Sequence, residues 1–318
     1  MTGITRGSVG GISYLRCDGG GPMPMVLLHG IGSNAQSFEP LMGALDGKYP
    51  TLAWDAPGYG ESKPLAMQWP DASDYAEALG RLLAQLQITR CVVVGHSLGC
   101  LIAARYAVMA KAKVAALILV SPARGYRSRK GDPLPAPVAR RIEELDQLGA
   151  EKFAAKRAPS LLADASDRPD VLQAVARAMA GVHRPGYDQA CRMLASGRLH
   201  DDAVQVEVPA AIINGDKDSV TPVANGQLAY QDLQKSSPRH LFQIIDGAGH
   251  AICQEKPEEV ARVLVEFLED IHRAITPAPT PSPSPQPPRD SGVAGAPAGG
   301  GEHSQAWDAG GGPNRSLA

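Results

Sequence analysis

Residues 91–109 read CVVVGHSLGCLIAARYAVM: an apolar β-branched run, a five-residue turn and a helix-forming segment. A strand that is apolar at every position, and not only at every second one, is covered on both faces. Such a strand running through a tight turn into a helix is the building unit of an α/β sheet. The turn, Gly95-His96-Ser97-Leu98-Gly99, fits the G-x-S-x-G nucleophile-elbow pattern. That pattern holds a serine in a strained strand-to-helix turn. Glycines on either side avoid clashes between Cβ atoms and neighbouring backbone. Five residues with three fixed positions recur by chance; the strand before and the helix after give this occurrence its specificity.

The same alternation extends along the chain. Short apolar runs at 25–29, 51–55, 91–95, 114–121, 210–215 and 240–246 predict strands. Apolar residues at helical spacing predict helices over 73–88, 98–109 and 257–271, the last opened by Pro257 with Glu258 and Glu259 behind it. A mostly parallel, eight-stranded-type sheet with helices on both faces follows. Residues 124–207 break the alternation with amphipathic helical patterns such as VARRIEELDQL and VLQAVARAMA and no convincing strand. They read as a helical cap inserted into a core made of residues 1–123 and 208–275, lying over the C-terminal edge of the sheet. From Thr276 the chain becomes TPAPTPSPSPQPPRD and then Gly-rich, and 17 residues of 276–318 are Pro or Gly. That composition buries too little apolar surface to offset its ordering entropy, so a disordered tail is expected.

Composition excludes several classes. The 31 Lys+Arg and 33 Asp+Glu give a formal charge of -2, without the basic excess of a nucleic-acid binder. No apolar run approaches the roughly 18 residues of a membrane span. The opening residues lack the basic start and apolar block of a secretory signal, which points to a cytoplasmic protein. Cys17, Cys91, Cys100, Cys191 and Cys253 are scattered and include no CxxC pair, so buried free thiols are expected. No H-E-x-x-H, GK[ST] or complete G-x-G-x-x-G appears, and neither a metal nor a nucleotide cofactor is expected.

Four motifs stand in a fixed order: LLHGIGSN (27–34), DAPGYGES (55–62), GHSLG (95–99), and NGDKD (214–218) with GAGH (247–250). Together they resemble the α/β-hydrolase family, of the kind with a helical cap. The resemblance covers about residues 8–273. It implies a serine, acid and histidine in that chain order. Ser97 is then the nucleophile and His250 the base that activates its hydroxyl. His96 is a poor base for Ser97, because adjacent side chains diverge. The family's acid lies three residues after the glycine, which selects Asp218; Asp216 is the alternative, and Asp246 is expected to brace the histidine turn. The oxyanion donors implied are the N–H groups of Leu98 and Ile31. His29 reads as a structural hydrogen-bonding residue, Cys100 as core, and Cys253 as packing at or beneath the pocket.

A serine nucleophile argues against the dehalogenase and epoxide-hydrolase branches, which use Asp at the elbow. It suits attack on a small carboxylic ester or lactone through an acyl-enzyme. The alternatives are carbon–carbon hydrolysis of a ring-cleavage-type diketone, a cofactor-free perhydrolase or acyltransferase, and a non-catalytic receptor. HGIGSN in place of a glycine-richer oxyanion loop, and Ala251 after His250, lower the carbon–carbon reading. The expected partner is a small molecule. Arg124, Arg127, Arg129, Arg140 and Arg141 could include one that pairs with a substrate carboxylate, although Glu143, Glu144 and Asp146 nearby suit solvated helix faces.

Overall fold

The computed structural model describes residues 3–21 and 23–275. The expected tail, 276–318, lies outside the described residues. Those residues form an eight-stranded sheet from β1 (Thr5–Val9), β2 (Ile12–Cys17), β3 (Met25–Leu28), β4 (Thr51–Trp54), β5 (Cys91–His96), β6 (Val114–Val120), β7 (Ala210–Gly215) and β8 (His240–Ile245). The spatial order is β1-β2-β4-β3-β5-β6-β7-β8. β1 and β2 pair antiparallel, as do β2 and β4; every later neighbour is parallel. The fold is the mostly parallel α/β sheet expected.

The helices named below are α1 (Glu39–Ala44), α2 (Ala72–Gln85), α3 (Gly99–Met109), α4 (Ala136–Arg157), α5 (Pro169–Ala180), α6 (Gly186–Ser196), α7 (Leu199–Ala203), α8 (Val223–Leu233), α9 (Ile252–Glu255) and α10 (Pro257–Ile275). Alternate residues of each central strand feed opposite cores. Val26 and Leu28 join Leu79, Leu82 and Leu101 beneath α2 and α3. Met25 and Leu27 join Leu41, Val260 and Leu264 beneath α1 and α10. That two-residue period, buried on both sides, is why these strands are apolar throughout. Each fully buried Leu or Val contributes about 1.5–3 kcal/mol.

One feature departs from the pattern read in the sequence. Residues 5–17 form a hairpin that no apolar run marked. Its turn is Gly10-Gly11, at φ 60° and 80°, the left-handed conformation that a tight hairpin demands and glycine supplies without strain. The stretch between β6 and β7 does carry helices, α4 to α7, but α4 is broken at Gly149, where φ is 69° and ψ 163°.

Candidate active site

The elbow takes the shape its sequence requires. Ser97 has φ 53°, a left-handed conformation unusual for a residue with a Cβ. Its N–H donates to the Val120 carbonyl at 2.9 Å, which locks the turn onto the end of β6. A Cβ on Gly99 would overlap the Leu28 carbonyl oxygen, so α3 lies close over β3 only because that residue is glycine. Gly30 does the same from the other side: a Cβ there would sit 2.9 Å from Ser97 Cβ. The 30–34 loop therefore runs beside the serine. Neither the Ile31 N–H nor the Leu98 N–H meets a hydrogen-bond acceptor among the described residues.

Asp218 and His250 are brought into direct contact from the loops after β7 and β8. His250 Nδ1 lies 2.9 Å from Asp218 Oδ2, and both residues are buried. A carboxylate can only accept, so Nδ1 carries the proton. The other carboxylate oxygen, Oδ1, accepts the N–H groups of Val220 at 2.9 Å and Thr221 at 2.8 Å. Burial alone would raise this carboxyl, but the hydrogen bond and charge of His250, with the Thr221 donors, hold it well below the usual carboxylate range. Asp216, the alternative acid, does a different job: it accepts the Ala248 N–H at 3.3 Å and so braces the histidine turn. Asp246, expected in that bracing role, is exposed.

Ser97 Oγ makes no hydrogen bond among the described residues, so it is not joined to His250 directly. The link runs through His96. Its Nε2 lies 2.8 Å from the His250 carbonyl oxygen, and the two rings are 4.9 Å apart at 44°. Catalytic hydrogen bonds are often long in an unliganded site. Burial, and the neighbouring His250 charge, push the His96 imidazole down to about 3, so it is neutral at ordinary pH. His29 uses both ring nitrogens on backbone: Nδ1 faces the Gly30 carbonyl at 2.9 Å and Nε2 accepts the Ala56 N–H at 3.0 Å. Burial lowers its affinity for a second proton.

A small cavity of about 40 Å³ opens here, walled by Ile31, Phe38, His96, Leu161, Val175 and His250 among others. Cys253 is both buried and on its wall, and burial pushes its thiol up to about 12. None of the five arginines singled out in 124–141 lines this cavity. Arg124 pairs with Asp232 and Arg127 with Asp201. Glu144 is taken by Lys156 and Arg157, and Asp146 by Arg184.

Sequence reading missed two residues of the site. Thr221 touches both Asp218 and His250. The D-x-x-T spacing, typical of an Asp side chain that receives the N–H groups two and three residues on, was the available signal. Glu255 bridges the histidine turn and the helical stretch: its two oxygens accept the Gly249 N–H at 2.9 Å and the Ala163 N–H at 2.8 Å. No local pattern announces that contact.

The sequence model of the "Alpha/beta hydrolase family" matches residues 25–263. A 2-(acetamidomethylene)succinate hydrolase of Mesorhizobium japonicum is 28% identical over 264 residues, covering 80% of this chain and 91% of the relative. A solved thermophilic esterase from Thermogutta terrifontis superposes with a TM-score of 0.72 at 22% identity, over 85% of this chain and 98% of the other. The enol-lactonase from Burkholderia xenovorans LB400 gives the same TM-score, 0.72, at 20% identity, over 83% of this chain and 100% of its own. No helix among the described residues is long and apolar enough to cross a membrane.

Proposed function

The chain belongs to the α/β-hydrolase family and is a hydrolytic enzyme; from that premise we propose that it cleaves a small, uncharged carboxylic ester or lactone through an acyl-enzyme on Ser97. The observation that carries this reading is the buried Asp218–His250 pair set next to a strained serine turn, with the Ile31 and Leu98 N–H groups uncommitted beside it.

The steps follow from the groups present. His250 takes the Ser97 proton through Nε2 as Oγ attacks the carbonyl carbon. Asp218 fixes the tautomer and stabilises the imidazolium that forms. The tetrahedral oxyanion is received by the N–H groups of Ile31 and Leu98, with the positive end of the α3 dipole behind it. Collapse releases the alcohol, which takes the proton from His250. Water then repeats the sequence on the acyl-enzyme.

Substrate size and charge are read from the cavity. Its volume, about 40 Å³, suits a short acyl group. Its walls are mainly apolar, and no Lys or Arg is among the described residues that form them. A carboxylate carried next to the scissile bond would enter without a counter-charge, at a cost of several kcal/mol. This sets the chain apart from a relative named for a succinate derivative. The helices between β6 and β7 act as the cap in this reading: Leu161 and Val175 of that stretch line the cavity together with His250.

The test is hydrolysis of p-nitrophenyl esters from acetate to decanoate, beside the hemiester of succinate, by the native chain and Ser97→Ala. The expected profile peaks at acetate to butyrate, falls at least tenfold on the succinate hemiester, and vanishes in the variant. Equal rates in Ser97→Ala would overturn the mechanism; a preference for the charged ester would overturn the substrate class.

A further inference from the structure

Thr221 Oγ1 lies 2.8 Å from Asp218 Oδ2 and 3.1 Å from His250 Nδ1, closing a triangle whose third side is the 2.9 Å bond between those two. The same hydroxyl is 3.0 Å from the Ser121 carbonyl oxygen. A threonine hydroxyl has one proton to give. Two oxygens 2.8 Å apart, one of them a carboxylate, need that proton between them. The charged acceptor is also the stronger one. The Ser121 carbonyl therefore takes the weaker branch of a three-centre bond and holds Oγ1 in place.

The acid's acceptors are thus divided. Oδ1 is served by backbone N–H groups of Val220 and Thr221. Oδ2 is shared between two side chains, His250 and Thr221. We propose that Thr221 is a positioning residue that shares Oδ2 with the base and thereby sets how strongly the acid holds the His250 imidazolium. This rests on the reading of Ser97, Asp218 and His250 as the catalytic set. Removing the hydroxyl leaves Oδ2 to His250 alone. It also takes away Oγ1 as an acceptor for Nδ1–H, but at 3.1 Å that neutral oxygen is the weaker of the proton's two acceptors, and the gain at the carboxylate outweighs it. The imidazolium is then held more tightly, and the base loses its proton only at higher pH.

The experiment measures the rate at which a fluorophosphonate labels Ser97, by intact-protein mass spectrometry, from pH 5 to 9. In that reaction Ser97 Oγ bonds to phosphorus, fluoride leaves, and the serine proton passes to His250. Labelling needs no knowledge of the natural substrate. In Thr221→Val the acid limb is expected to move up by about one pH unit, the scale of one hydrogen bond to a charged group. Thr221→Ser, which keeps the hydroxyl, is expected to restore the native limb. If Thr221→Val does not fold, Thr221→Cys replaces it, because a thiol is a weak donor and shifts the limb the same way. A limb that stays put or moves down in the folded variant would overturn the proposal, as would a shift shared by Thr221→Ser. A general loss of rate with an unmoved limb, in an enzyme still labelled at Ser97, sinks the Thr221 role alone. Native protein that is not labelled at Ser97 sinks the triad reading and this proposal with it.

Discussion

His96 donates its Nε2–H to the backbone carbonyl of His250 across 2.8 Å, so the residue before the serine holds the turn that carries the histidine. The acceptor is a carbonyl, which fixes the proton on Nε2. The elbow after β5 and the turn after β8 are thereby tied together without use of the Ser97 side chain.

The burial of His96, opposed only in part by this bond, gives stability a pH dependence. The folded His96 is pushed down to about 3 from an ordinary 6.5, so the unfolded chain binds the extra proton first as pH falls. Its contribution is complete above pH 6.5 and is lost progressively toward pH 3. Urea unfolding across that range should show falling midpoints. His96→Gln keeps a donor for the carbonyl but has no titrating ring, and its midpoints should fall less steeply. Parallel slopes would remove His96 from the account.

Asp218→Asn keeps the shape of the acid but puts an amide against His250 Nδ1. The wrong tautomer is then favoured, and kcat on p-nitrophenyl acetate should drop by about 10⁴-fold with the fold intact. A drop of less than tenfold, with Asp216→Asn costing more, would transfer the role to Asp216.

Gly30→Ala tests the loop beside the serine. The added Cβ would meet Ser97 Cβ at 2.9 Å, so either the loop or the elbow must shift. Displacing one oxyanion donor costs about 10²–10³ in turnover. Thermal stability should change far less than activity, which stopped-flow turnover beside thermal denaturation will show.

Glu255→Gln must point an amide N–H at one of two backbone N–H groups, Gly249 or Ala163. An unmet buried donor costs about 1–3 kcal/mol. Hydrogen exchange should quicken at Ala163 or Gly249, and KM should rise more than kcat falls, because the wall of the cavity at Leu161 loosens first. Unchanged exchange at both amides would show that the bridge carries no weight.

Leu264→Ala acts outside the cavity, which Leu264 does not line. Leu264 is fully buried beneath the sheet. Its truncation should cost about 2–5 kcal/mol in urea unfolding and leave KM unchanged.

The sheet was legible in the sequence where burial on both faces writes an unbroken apolar run, as in CVVVG and VAALILV. The β1–β2 hairpin was not, because one of its strands, TRGSV, is largely exposed and carries no such run. At the site, motif order placed Ser97, Asp218 and His250, of which the last two meet. Contacts made by chain segments far apart were invisible: Glu255 reaches residue 163, and Ser121 reaches Thr221. His96 was judged only as a base for its neighbour. Its ring instead reaches a backbone atom 154 residues on, and no spacing rule covers that.

β5, β6, β7 and β8 are consecutive both along the chain and across the sheet. During synthesis the serine turn can form on a central strand while the acid and the histidine have yet to leave the ribosome. The histidine arrives with β8, an edge strand paired on one side only. Edge elements open at lower free energy than the centre of a sheet. Of Ser97, Asp218 and His250, the histidine is therefore the last to be made, and its turn hangs on an edge strand and not on the centre of the sheet.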